Sequence, residues 1–593
     1  MLRRAGRALA LILLAVLPFW PSLDGGFIED DRPIIRDRPE LRDVANVPAL
    51  FAQTYWPRDQ PGGLYRPLTL ASYALDRAVW GADAAGAPSP FGVHATNLIL
   101  NALAALLVFA LLRGRGGEAA GAFAGAALFA VHPVHVEAVS HLVGRADLLM
   151  TVCFLAAFLL HGRGLAGRLA AALLYLLACL SKEMAVVLPG VLLVRAWLER
   201  GGGTLGGFAR AQAVALAPMT LALLVFLALR GFALGAAANP PVRFALFAAP
   251  QYLAFQDPAP FEVALTMLHA LGEILLLLVA PFRLSADYSG FPHATGVSAA
   301  AALSGLAVAT LVALALAALR RGRREPIFWL AWLGLTWLPV SNLLFPSGIV
   351  LAERALYLPS VALSGVVALG TGALVARDRR LALAPALVVT LFAALSFARA
   401  GLWTDARGLH EETVARGRHS GHIAKTGLVA ELLSELARRP DADTLARALA
   451  LARASLEERP TATNLAQVAL LEEYSGQLDS ALARRKSLFA FAPEDLENRA
   501  AIVRLLEALI PRREAEADTR AVLELCGTGY RLAERSGDPS LVARWRARVD
   551  RAFERYLEEA IAAGDRDELR RRLDELERAF PGHPLLAIRG SMG

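Results

Sequence analysis

Charge and cysteine are scarce in this chain. Of its 593 residues 19% are charged and 56% are hydrophobic, and the mean hydropathy is +0.45. That balance excludes a soluble protein of this length, and many separate apolar runs mean a polytopic membrane protein. Three cysteines cannot build a disulfide framework, because Cys153 and Cys179 lie within apolar runs and Cys526 stands alone. Thiolate metal binding is disfavoured on the same ground. The net charge of +7 is no nucleic-acid signal, since the basic residues gather in short loops at 113–115, 320–324 and 377–380. The positive-inside rule expects such loops in the cytoplasm.

A cleavage site is missing too. Arg3, Arg4 and Arg7 precede an apolar run at 8–20 as in a signal peptide, but Phe19, Trp20 and Pro21 stand where small residues are needed. The run reads as an uncleaved first span with its N-terminus inside. Long apolar runs are also absent beyond about residue 400, where Glu, Arg, Ala and Leu recur at helical spacing. The expectation is an all-α protein in two parts. One is a multi-pass membrane domain over 1–400, with about 11–13 spans and a long outer loop at 24–90. The other is a soluble helical domain over 401–593.

After the first, spans are read at 93–112, 119–130, 148–160, 169–180, 186–197 and 214–229. The basic loop at 320–324 must be inside, and one clear span, 299–319, precedes it. The region 231–297 therefore holds an even number of crossings: 242–255 and 271–282 both cross, or neither does. Runs at 327–338, 356–375 and 381–397 complete the set and leave the tail on the same side as the acidic cluster that follows the first span. Several runs are shorter than the roughly 20 residues of an isolated span, so their ends are expected inside protein.

Residues 65–81 read as an amphipathic helix lying along the membrane surface and roofing a cavity. Leu68, Ala71, Leu75, Ala78 and Val79 fall on one face, with Thr69, Tyr73, Asp76, Arg77 and Trp80 elsewhere. In the tail, Ala469, Gly476, Ala481 and Pro493 are spaced as in a tetratricopeptide unit. Pro460 stands 33 residues before Pro493, near that repeat's period of about 34. A plain helical bundle is the alternative.

Chemistry-bearing residues gather in the outer loops. Glu29, Asp30 and Asp31 directly follow the first span, where a charge can be hydrated; an acidic patch that merely ends a hydrophobic helix is the plainer reading. After the third span come His132, His135, Glu137, His141, Arg145 and Asp147. If helical, Glu137, His141 and Arg145 form one polar stripe. A zinc site is disfavoured, because His132 and His135 precede that helix and Glu137 does not share the face of His135. Lys182 and Glu183 sit at the outer end of the fifth span, and Arg66 and Arg354 open helical segments. Cations there suit a lipid phosphate, Arg as a fixed fork and Lys as a point charge.

Taken together, residues 26–31 (GFIEDD), 65–69 (YRPLT), 94–97 (HATN), 128–139 (LFAVHPVHVEAV), 143–147 (VGRAD), 181–183 (SKE), 341–346 (SNLLFP) and 353–359 (ERALYLP) resemble the transmembrane and tetratricopeptide-repeat family of O-mannosyltransferases, in a bacterial-looking version. The segments occur in order and cover nearly the whole membrane part. The resemblance implies a GT-C glycosyltransferase fold that takes a sugar from a polyprenyl-phosphate carrier on the outer face. It implies an acidic base after the first span and favours Asp30 for that role, with Asp31 orienting the site; the sequence itself does not separate the two. In that family the sugar is mannose and the acceptor a protein hydroxyl. Here the tail repeats are few and degraded, so the acceptor is left as a protein or a glycan.

The reading that follows is an inverting membrane glycosyltransferase of the cell inner membrane with its C-terminal domain in the periplasm. Asp30 and Asp31 are the catalytic candidates, and Arg66, Arg145, Lys182 and Arg354 the donor-phosphate ligands. His132, His135, Glu137, Asp147 and Glu183 form a supporting polar wall. No metal ligands are assigned, and a divalent cation is left open. The rivals are a non-catalytic membrane scaffold displaying repeats and a carrier for lipid-linked sugars.

Overall fold

Helices supply the regular structure throughout the described residues, apart from an isolated bridge between Ala82 and Pro88. The computed structural model describes residues 2–57, 64–235, 259–344, 347, 349–562, 564–579 and 586. It divides into two compact units, Met1–Gly427 and Leu428–Gly593. The first therefore runs past the end of the last apolar helix at Leu402.

In the first unit we number the helices α1 Leu2–Val16, α2 Pro67–Trp80, α3 Pro90–Gly114, α4 Ala119–Ala130, α5 Val136–Ser140, α6 Arg145–Leu160 and α7 Gly164–Ser181. There follow α8 Leu188–Leu198, α9 Leu205–Leu234, α10 Pro260–Val279, α11 Ala299–Arg320, α12 Glu325–Trp337, α13 Val361–Arg377, α14 Leu383–Leu402 and α15 Ala406–Arg416. Local chemistry sets the starts. Pro67, Pro90 and Pro260 open their helices, where the absent N–H is no loss. Thr204 and Ser298 cap α9 and α11 by accepting from Gly207 and Ala301 amides.

Eight helical segments among the described residues are long and apolar enough to cross a bilayer, nine if the pair Ala119–Ala130 and Pro133–Ser140, bent by 45°, is one span. The protein is thus all-α and polytopic. Helices α8 and α12, where spans are expected at 186–197 and 327–338, are shorter, with 11 and 13 residues. Of the two runs read before α11, 271–282 falls largely within α10, and 242–255 lies outside the described residues.

Close packing comes from small residues. A Cβ added at Gly121 or Gly125 of α4 would lie 2.3 Å from the carbonyl oxygen of Ala368 or Ser364 on α13, so these helices touch backbone to backbone.

Helix α2 turns its polar residues toward the protein and part of its apolar face outward. Thr69, Tyr73 and Asp76 are buried in the protein, while Leu75 and Val79 are 52% and 73% exposed. Where the surrounding medium is lipid, the polar face of a helix turns toward protein partners. Here Thr69 Oγ1 donates to Ser181 O at 2.9 Å and Tyr73 Oη to Leu142 O at 3.1 Å.

The second unit is a run of helices from Ala442–Glu458 through Arg566–Ala579. Asp441, Thr461, Asp495 and Asp518 cap successive members. Ala469 and Ala481 are fully buried, and Gly476, at φ +75°, makes the left-handed turn between their helices. Leu506, Leu509, Trp545 and Phe553 lie in its core.

Candidate active site

The first span ends in a 3-10 turn, Leu17–Asp24, and the acidic cluster follows in a tight loop. The Asp31 amide donates to Ile28 O at 2.9 Å. Glu29 sits at φ +43°, a left-handed conformation that costs a non-glycine residue about 1–2 kcal/mol. The two aspartates that follow have different surroundings. Asp31 is fully buried, its Oδ2 accepting from Ile28 N at 3.1 Å and its Oδ1 from Val143 N at 2.9 Å, with His141 Nε2 at 3.3 Å. It ties the loop to the start of α6. Asp30 is half-buried and has no side-chain hydrogen bond among the described residues.

Burial raises the Asp30 carboxyl from its ordinary value; Arg354 and Arg66 pull it down and Glu137 pushes it up. Glu29 is pushed up to about 8 by burial and by its neighbour Asp30. Burial also raises Asp31, against the pull of its two amide partners.

Around Asp30 the cations are each matched by a carboxylate. Glu137, buried on α5, accepts the Arg354 backbone N–H at 2.8 Å through Oε2 and the Arg354 guanidinium through Oε1. That carboxylate raises the Arg354 pKa. Arg66 forks onto Glu183 at 3.0 and 2.6 Å and stands 5.0 Å from the centre of the Tyr55 ring. Burial alone would raise Glu183, but Arg66 outweighs it and holds the carboxyl below its usual value. Lys182 Nζ lies 2.7 Å from both oxygens of Asp147; burial still lowers its pKa. The Arg354 side chain is the most open of the three cations, 30% exposed against 12% for Arg66 and 9% for Lys182.

Two expectations need correction. His141 adopts extended backbone between α5 and α6, so Glu137, His141 and Arg145 do not form one helical stripe. Arg145, expected at the phosphate, is wholly enclosed. It donates to Asn97 Oδ1 at 2.5 Å, Val93 O at 2.6 Å and Ser72 Oγ at 3.3 Å, and pairs with Asp76 at 2.7 Å. It joins α2, α3 and α6 and offers no surface to a ligand. His132 and His135 precede α5, as expected. His132 Nε2 meets Leu278 O and His135 Nε2 meets Ser360 Oγ, both at 2.8 Å. Their rings pack among Phe129, Tyr357 and Phe392, a polar seam between helices. Among the described residues no group of three or more His, Cys, Asp or Glu is arranged to hold a metal.

Sequence reasoning missed Glu353. It points away from Arg354 and accepts from Ser285 N at 2.5 Å, Tyr288 Oη at 2.9 Å and Arg399 Nη2 at 3.0 Å. Burial pushes it up to about 7. Position 353 carried a signal in ERALYLP, but Arg399, inside the last apolar run, carried none.

The residues from Trp403 to Ala424 close over this end of the bundle. Trp403 stacks on His141 with ring centres 5.1 Å apart, His410 Nε2 lies 3.6 Å from Glu29 Oε1, and Asp287 Oδ2 accepts from Gly421 and Ala424 amides. This segment is on the side of the acidic cluster.

A polytopic helical protein with an acid-and-cation cluster beyond its first span is the class defined so far. The chain is 27% identical over 451 residues to the protein O-mannosyl-transferase Tmtc3 of Drosophila melanogaster, covering 61% of this chain and 46% of that protein. It is 29% identical over 442 residues to Tmtc1 of the same fly, covering 60% and 51%. With mouse TMTC3 it shares 29% over 383 residues, covering 59% and 40%. The resemblance to the transmembrane and tetratricopeptide-repeat O-mannosyltransferases is borne out. The matches span about half the length of these relatives. No family model and no solved structure matches.

Proposed function

We propose that the chain is an inverting glycosyltransferase of GT-C type. It moves a hexose, mannose by analogy with the relatives' names, from a polyprenyl phosphate to an acceptor hydroxyl. The observation that carries this reading is a half-buried Asp30, with no side-chain hydrogen bond among the described residues, within electrostatic reach of the partly open Arg354 that Glu137 holds. An acceptor hydroxyl is a poor nucleophile at neutral pH. Asp30 takes its proton as the oxygen attacks C1; the bond from C1 to the phosphate oxygen breaks, and the electron pair leaves with the lipid phosphate.

Arg354, with Arg66 and Lys182 behind it, stabilises that leaving charge. Because each cation already has a carboxylate, the site stays nearly neutral before the donor enters. A single negative charge on a sugar phosphodiester then makes the largest demand on Arg354. Arg145 acts by holding α2, α3 and α6, and Asp31 by anchoring the loop. His132, His135, Glu137, Asp147 and Glu183 hold the wall.

The membrane is the inner membrane of a bacterial cell, with the acidic cluster and the second unit in the periplasm. That unit, read as degenerate tetratricopeptide-like repeats, receives the protein or glycan acceptor. The test is purified protein given radiolabelled polyprenyl-phosphate mannose and envelope extract. Asp30-dependent incorporation supports the reading, and none with any polyprenyl-phosphate hexose overturns it.

A further inference from the structure

The left-handed turn at Glu29 is a strained device at the centre of the site, and something must hold it. Such conformations persist only where the surroundings over-determine them. Asp31 fixes the turn from one side through Ile28 and Val143. On the other side the Glu29 carboxylate meets His410 of α15, Oε1 to Nε2 at 3.6 Å. The His410 ring is 3% exposed, and a Cβ at Gly427 would come within 2.3 Å of it, so the ring has no room to retreat. It lies beyond the last apolar helix, in a segment the apolar pattern assigns to the tail.

We propose that His410 is a positioning residue for the acidic cluster: its ring, braced by Gly427, holds Glu29 in the left-handed turn that leads into Asp30 and Asp31. The residues up to Gly427 then belong to the working site and not to an independent tail. The functional part of this inference rests on Asp30 as the base; the structural part does not.

The experiment compares full-length wild type, His410→Ala, Glu29→Gly and the double variant in detergent, by hydrogen exchange over residues 28–36 and by transferase assay. Glycine adopts φ above zero without strain, so it removes the need for a brace. In His410→Ala the amides of Asp31, Arg32 and Ile34, bonded to Ile28, Glu29 and Asp30 carbonyls, should exchange at least about tenfold faster. Turnover should fall while donor KM holds. In the double variant both protection and turnover should return toward the Glu29→Gly level.

Unchanged exchange in His410→Ala overturns the proposal. So does a double variant as unprotected as His410→Ala, because His410 would then act by packing and not on the turn. If His410→Ala fails to fold, His410→Leu, which fills the space but has no polar atom to meet Glu29, replaces it with the same two outcomes. If exchange behaves as expected while no variant and no wild type transfers sugar, the brace stands and the transferase reading falls.

Discussion

Arg354 binds Glu137 twice, through its backbone amide and through its guanidinium, across 217 positions of sequence. The backbone bond fixes where residue 354 starts and the side-chain bond fixes where it points, so a partly open cation is held rigidly in the field of Asp30.

The first prediction is that Asp30→Asn lowers transfer by at least about 10²-fold, the lower range for a lost general base, while donor binding holds. Burial raises the Asp30 pKa, so ionised Asp30 costs the fold stability and its replacement should not lower the melting temperature. Near-normal turnover in this variant would remove Asp30 from the role.

Asp31→Asn should behave in the opposite way. Both its oxygens accept buried backbone N–H groups, and a carboxamide NH₂ facing one of them leaves that donor unpaired, at about 1–3 kcal/mol. We expect a clear fall in melting temperature and loss of yield. A stable, inactive Asp31→Asn protein would instead move the base one residue along.

A pH profile separates the cations from the base. Asp30 must be deprotonated to act, so kcat/KM falls as pH drops through its pKa, which burial raises from its ordinary value. Arg354 is the largest lowering influence on that group. In Arg354→Ala the acidic limb should move to higher pH, and donor affinity should weaken roughly ten- to hundredfold, as for a lost charge-assisted contact. An unmoved limb would show that Arg354 does not act on Asp30.

Lys182 and Asp147 can be tested as a pair. Removing one member of a buried ion pair costs about 3–5 kcal/mol, because the other is left uncompensated. Lys182→Met alone should be strongly destabilised, and adding Asp147→Asn should restore most of the loss in a thermal melt. Donor affinity should stay weak in the double variant. Full recovery of affinity would make Lys182 purely structural.

The side on which the second unit lies can be read by labelling. Cys526 is buried and Leu496 is 74% exposed, so Leu496→Cys in a Cys526→Ala background offers a reachable thiol. A membrane-impermeant maleimide should label it in intact spheroplasts. Labelling only after lysis would place the unit in the cytoplasm.

Much of this molecule was legible in its sequence for a physical reason. A span needs a long apolar run, and runs such as 93–112 and 299–319 have few other uses, so α3 and α11 lie where expected. Asp30, Glu137, Lys182 and Arg354 stood out because charge is scarce in this chain and gathers in the loops beyond its spans. Pairing was not legible. Nothing local says that Arg66 will meet Glu183 or Lys182 Asp147, because each choice depends on how α2, α6 and α7 pack. The enclosure of Arg145 depends on Asp76 of α2, a partner 69 positions away that no local pattern announces. Glu137, His141 and Arg145 had helical spacing, but His141 turns extended, which periodicity cannot register.

The glycine contact between α4 and α13 has a mechanical consequence. Helix α4 leads into the turn that carries Glu137, and α13 follows the turn that carries Arg354. Because Gly121 and Gly125 bring the two helices together backbone to backbone, neither can slide along the other without forcing atoms apart. The helices act as the two jaws of a caliper locked at that contact, and the gap set there is transmitted along them toward their tips. A methyl group at Gly125 would force the jaws apart and loosen the grip of Glu137 on Arg354.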